Sequence, residues 1–222
     1  MPDLTRHFKL YTTAYVVLAV ACMTAALLEP PTALMMVFKG LPVALLVVVT
    51  ARANATVHGR YRFYILLGLV ASVAGDVIIE VLFVGGLAAF LLAHVFYLVA
   101  MRALPLHPFA VIAGAVLGAG VMALLLPEVP RAMFIPVLVY MGVILLMLVR
   151  AWSRLAGNRP AGASWMAAGA TLFVISDSLI GLNRWVFDIP LAGAAILTTY
   201  FAAQWLICRS ALSPHTSAAR TF

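Results

Sequence analysis

Three ionisable residues lie inside otherwise apolar runs of this chain: Lys39, Asp76 and Asp177. A charged side chain within hydrocarbon costs about 2.5 to 3.5 kcal/mol on insertion scales, so such groups tend to face a protein interior and to mark a working site. Two carboxyls close together in low dielectric do not both ionise readily; one keeps its proton and the pair titrates as a unit. A general acid and a general base are then available side by side, and a nearby lysine favours the ionised partner. That set suits hydrolysis of an acid-labile bond in a lipid, which enters from the bilayer while water arrives from the aqueous face. Asp76 and Asp177 are the candidate catalytic groups. Each charge also has a plainer reading. Lys39 could snorkel to an interface or form a single ion pair. Asp76 could be a helix-end carboxylate, since Glu80 follows one turn later on the same face. Asp177, between Ser176 and Ser178, could be a polar knot between helices. The joint occurrence of all three weighs against these readings.

Further polar residues fall at helical spacing. His94 and Tyr97 are three apart, and Tyr200 and Gln204 four apart, so each pair shares a helix face. With Lys39, Glu80, Ser176 and Ser178 they form the candidate substrate-binding set, although a lone His in an apolar run is more often a hydrogen-bonded packing residue. No second His or Cys stands at ligand spacing and no HExxH or CxxC occurs, so no metal and no cofactor are expected. A G-x-S-x-G elbow, a phosphate loop and a nucleotide fingerprint are likewise missing from the sequence. Cys22 and Cys208 sit in apolar runs, where a thiol acts as a small hydrophobe.

The elements that must position these groups follow from composition. Of 222 residues, 65% are hydrophobic and 9% charged, against roughly 25% charged in soluble domains. Apolar runs occur at about 8–28, 32–51, 62–81, 83–102, 106–126, 131–151, 162–182 and 189–208, each near the length of about 20 residues that crosses a bilayer as helix. The breaks hold Glu29-Pro30-Pro31, Gly85-Gly86, Pro105 with Pro108, Pro127 with Pro130, 157–162, and Asp188-Ile189-Pro190, all helix-stopping chemistry. The expected fold is an all-α membrane bundle of about eight spans forming a single domain. The first run, with Arg6 and Lys9 before it, resembles a signal peptide only superficially, because no small-residue cleavage site follows it.

With the N-terminus inside, Arg6, Lys9, Arg52, Arg60, Arg62, Arg102, Arg150, Arg154, Arg159, Arg209 and Arg220 fall on the cytoplasmic side and only Arg131 and Arg184 opposite. Both termini are then cytoplasmic, with a tail over 210–222. The basic residues build no stripe despite the net charge of +7, so nucleic acid is not an expected partner. Gly68 precedes Asp76 by eight residues, as Gly169 precedes Asp177, which suggests two parallel four-span halves with both aspartates at one depth. Counted from the outer helix ends, Lys39, Asp76 and Asp177 lie roughly 6 to 10 Å deep and could meet in one pocket.

These residues carry a resemblance. Phe38-Lys39-Gly40-Leu41-Pro42, Gly75-Asp76-Val77, Gly86-Leu87 with Phe90, Ala93-His94-Val95-Phe96-Tyr97, the block from Leu172 through Ser176-Asp177-Ser178 to Leu179, and Tyr200 with Gln204 resemble the YhhN-like lysoplasmalogenase family of eight-span membrane proteins. The likeness implies cleavage of the vinyl ether bond of a lysoplasmalogen, or of a related ether lysolipid, to a fatty aldehyde and glycerophosphoethanolamine or glycerophosphocholine. One aspartate would protonate the alkenyl carbon and the other would activate water, while Lys39, His94, Tyr97 or Gln204 orient the headgroup or the water. The partners implied are a lysophospholipid from the bilayer and the surrounding membrane lipids. A small-solute transporter or channel using the buried Lys and Asp cluster is the main alternative; an intramembrane aspartyl protease lacks its fuller signature, and a plain scaffold would leave the buried charges without purpose. The arginine-rich, lysine-poor composition points to a bacterial inner membrane. Oligomeric state stays open.

Overall fold

The computed structural model describes residues 4–53, 59–101, 105–157 and 159–213. The regular elements among them are α-helices: α1 (Leu4–Leu27), α2 (Thr32–Arg52), α3 (Gly59–Ile78), α4 (Phe83–Ala100), α5 (Pro108–Leu125), α6 (Arg131–Ala156), α7 (Ala163–Trp185) and α8 (Ala192–Ala211). A helix satisfies its own backbone without water, which is what hydrocarbon demands. Seven of them, α1 to α7, are long and apolar enough to cross a membrane, and the chain is a multi-pass integral membrane protein. α8 falls short in hydropathy, not in length: it has 20 residues but carries Thr198, Thr199, Gln204 and Arg209. It packs against α1, α2, α3 and α7, and Gln204 and Ser210 are fully buried. Protein, not lipid, surrounds these two side chains.

The helix starts follow from proline chemistry. Pro31 and Pro130 directly precede α2 and α6, and Pro108 opens α5, positions where a missing N–H leaves no helical bond unmade. α6 and α7 run to Ala156 and Trp185, beyond the apolar runs ending near 151 and 182. The extra turns carry Trp152, Arg154 and Arg184, because a helix continues into the interface after its hydropathy has fallen. On the outward side, Phe109, Ile112 and Val116 of α5 are each more than 60% exposed, a face that belongs in lipid.

The two halves are related. α1, α2, α3 and α4 pack in series, as do α5, α6, α7 and α8, and the halves join through α4 on α6 and α8 on α2. Exchanging the halves maps each of these contacts onto another in the set, as two parallel repeats require. α2 and α6, which correspond, each contain an internal proline, Pro42 and Pro136. The relation is incomplete, since α8 also touches α1 and α3 while α5 touches α7.

Candidate active site

Asp177 forms part of the wall of a cleft between the ends of α4, α5, α6 and α7. The lining is otherwise apolar and aromatic, including Phe83, Leu87, Phe90, Tyr140, Ile180 and Trp185, and the empty space is about 500 Å³ with the open mouth included. The Tyr140 hydroxyl donates to Asp177 Oδ2 at 2.5 Å, and His94 Nε2 stands 4.0 Å from the same oxygen. His94 is fully buried with no hydrogen-bond partner for either ring nitrogen. Its ring is fixed edge-on against Phe173 at 4.6 Å and Tyr140 at 5.3 Å between centroids.

Asp76 belongs to a different neighbourhood. It is buried and accepts a hydrogen bond from the Tyr200 hydroxyl at 2.7 Å. The chain of bonds continues inward: Gln204 Nε2 donates to the Tyr200 oxygen at 3.2 Å, and the Tyr97 hydroxyl donates to Gln204 Oε1 at 3.0 Å. Ser72 lies 3.4 Å from the Tyr97 hydroxyl. These contacts join α3, α4 and α8, and a satisfied buried network of this kind fixes one arrangement of helices. Gly68 is required for it, because a Cβ there would lie 2.2 Å from the Tyr97 ring. Lys39 is ion-paired with Glu80, both partly exposed. Ser176 donates to the Ile196 carbonyl at 3.1 Å, tying α7 to α8, and Ser178 is half-buried outside the cleft lining.

The structure therefore does not gather Lys39, Asp76 and Asp177 into one pocket. No hydrogen bond joins the two carboxyls, Asp76 does not line the cleft that Asp177 lines, and Phe173 packs on both Tyr200 and His94. Phe90 packs on Tyr200, centroids 5.8 Å apart, and on Phe173 at 6.3 Å. Gly75 admits this wall, for a Cβ there would meet the Phe90 ring at 2.9 Å. The arrangement still follows the internal repeat. Asp76 and Asp177 stand 101 residues apart, as do Lys39 and Tyr140, and Glu80 and Gly181. Asp76 takes its hydrogen-bond partner, Tyr200 of α8, from the last helix of the other half, and His94 of α4 approaches Asp177 to 4.0 Å without a hydrogen bond. Where the first half has the Lys39–Glu80 ion pair, the second has Tyr140 and Gly181 lining an open cleft. Tyr140 and the Phe90–Phe173 wall were not identified from sequence. The spacing of Tyr140 from Asp177, equal to that of Lys39 from Asp76, is the signal that could have found it.

Fold and site together define a multi-pass helical membrane protein with one carboxyl set in the wall of an apolar, aromatic-lined cleft. The profile of the YhhN family matches residues 34–211, and the chain belongs to that family. It is similar to Lysoplasmalogenase TMEM86A of Homo sapiens, 37% identical over 158 residues that cover 67% of this chain and 65% of the relative. Lysoplasmalogenase TMEM86B of Sus scrofa is 32% identical over 174 residues, covering 78% and 73%. Lysoplasmalogenase of Mycobacterium bovis is 33% identical over 176 residues, covering 72% and 65%. The match thus spans slightly less than two thirds of the human and mycobacterial relatives. No solved structure matches the chain.

Proposed function

We propose that this protein hydrolyses the vinyl ether bond of a lysoplasmalogen, or of a closely related alkenyl lysolipid, in the cleft beside Asp177. The observation that carries this reading is the Asp177 carboxyl in the wall of an apolar cleft, one of its oxygens accepting a hydrogen bond from Tyr140. The relatives' names supply the substrate class. Protonated Asp177 gives its proton to the β-carbon of the alkenyl chain, and the electron pair of the double bond forms the new C–H bond. This leaves an oxocarbenium ion. The carboxylate takes a proton from a water that adds to the α-carbon, giving a hemiacetal. Collapse of the hemiacetal moves the hydroxyl proton to the glycerol oxygen through the same carboxyl. The products are a fatty aldehyde and the glycerophospho-alcohol, and Asp177 ends protonated as it began.

One carboxyl suffices for this cycle, because it alternates between acid and base. Tyr140 and His94 act as positioning residues that fix the carboxyl's orientation. Asp76 with Tyr200, Gln204 and Tyr97, and Lys39 with Glu80, serve the packing of the first half against α8. The two-carboxylate version would need Asp76 to reach a cleft that it does not line. By the distribution of Lys and Arg, the termini lie in the cytoplasm of a bacterial inner membrane and the cleft opens on the opposite face.

The test is aldehyde release by the purified protein from lysoplasmenyl-ethanolamine, with the 1-O-alkyl analogue as control. Aldehyde from the alkenyl lipid alone is expected, since the saturated ether has no double bond to protonate. If the folded protein leaves both lipids intact, the hydrolase reading is wrong, and transport becomes the reading to pursue.

A further inference from the structure

At the mouth of the cleft stands Arg184, the penultimate residue of α7. Its guanidinium carbon lies 4.0 Å from the centre of the Phe83 ring and 5.9 Å from that of Trp185. Both rings line the cleft. The side chain is exposed, and no ion pair to Arg184 exists among the described residues. An arginine stacked flat on an aromatic ring uses its face for that contact and keeps its N–H edge free, in the fork geometry that takes two oxygens of a phosphate. Stacking also limits the rotamers the side chain explores, so less freedom is lost when an anion binds.

Position along the helix fits a lipid. Arg184 lies seven residues beyond Asp177 on α7, a rise of about 10 Å toward the mouth. In a lysophospholipid the glycerol carbons separate the phosphate from the ether oxygen, and the long arginine side chain spans what remains. Glu128 and Asp188, both exposed at this end of the bundle, are available to the headgroup amine. Arg131, the first residue of α6, is at the same end but has no contact with a ring of the cleft.

We infer that Arg184, seated on Phe83 and Trp185, is the phosphate-binding residue that fixes a lysophospholipid headgroup at the cleft mouth. This rests on the reading of the cleft as a lysolipid site. It also makes Arg184 a specificity determinant: lipids with a phosphate at the third glycerol carbon are favoured over neutral alkenylglycerols.

The experiment compares wild type, Arg184→Gln and Arg184→Lys on lysoplasmenyl-ethanolamine and on the phosphate-free 1-alkenylglycerol. A parallel arm measures Kd for the uncleavable 1-O-alkyl-lysophosphoethanolamine by calorimetry. Arg184→Gln is expected to raise KM for the phospholipid and Kd for the alkyl analogue by about tenfold or more, the scale of one charge-assisted hydrogen bond. kcat and all constants for the neutral lipid should change less than about twofold, and Arg184→Lys should recover part of the loss. Unchanged phospholipid KM and Kd, or an equal loss on the neutral lipid, would overturn the assignment. If wild type binds the alkyl lysolipid in an Arg184-dependent manner yet cleaves nothing, the headgroup assignment stands and the hydrolase mechanism falls. If it cleaves both lipids and Arg184→Gln behaves as wild type, the headgroup assignment alone falls.

Discussion

Replacing each aspartate by asparagine in turn separates a one-carboxyl mechanism from a shared-proton pair. Asp177→Asn keeps shape and keeps an acceptor for the Tyr140 hydroxyl, which lies 2.5 Å from the present oxygen, but it removes the carboxyl proton that the proposed cycle uses. Loss of a general acid–base group typically lowers kcat by about 10²- to 10⁴-fold, or about 3 to 5 kcal/mol at 1.36 kcal/mol per decade. Asp76→Asn likewise keeps an acceptor for Tyr200, now 2.7 Å away, outside the cleft lining. Its effect on kcat should stay under about tenfold, and the loss should appear as a lower Tm, on the scale of about 1 to 3 kcal/mol for a weakened buried hydrogen bond. The assay is aldehyde release under saturating substrate with Tm measured on the same preparations. Equal losses of 10²-fold or more in both single variants, with the double variant no worse, would mean that the carboxyls act as one unit. That outcome would refute the separation of Asp76 from the cleft.

Three further outcomes follow from the same geometry. Gly181→Leu places a side chain in the cleft, where a Cβ would already touch Leu125 at 3.0 Å; KM should rise about tenfold or more with kcat changing less, read from initial rates. Lys39→Met strands Glu80 without its cation and should lower stability by about 1 to 3 kcal/mol, whereas Lys39→Met with Glu80→Met should restore most of it in a thermal melt, because paired removal leaves no uncompensated charge. Gly68→Ala drives a methyl to 2.2 Å from the Tyr97 ring, and the overpacking should cost about 1 to 3 kcal/mol and lower Tm.

Much of the architecture was legible because the bilayer imposes it locally. A run of apolar residues near 20 long has one way to bury its backbone polarity, so the eight helices follow from hydropathy and from the prolines and glycines between them. Only α8 strained this rule: Gln204 is tolerated by enclosure within the bundle, and Arg209 stands in the last turn. The repeat was legible too, in Gly68 with Asp76 and Gly169 with Asp177.

What the sequence by itself determined is the class of protein, the helices, and the residues too polar to face lipid: Lys39, Asp76, His94, Asp177 and Gln204. Counting residues along each helix also gave Lys39, Asp76 and Asp177 a similar expected depth, with His94 and Gln204 deeper. Which of them touch was decided by the tertiary structure alone, because rotation and crossing of helices depend on side-chain packing between segments distant in sequence. Phe90 and Phe173, indistinguishable by composition from other apolar residues, pack on each other and on Tyr200, the partner of Asp76. Tyr140 reaches Asp177 while Lys39, at the matching place, turns to Glu80. The same spacing in two halves thus yields an ion pair in one and an open cleft in the other, and the difference rests on Glu80 standing where the second half has Gly181.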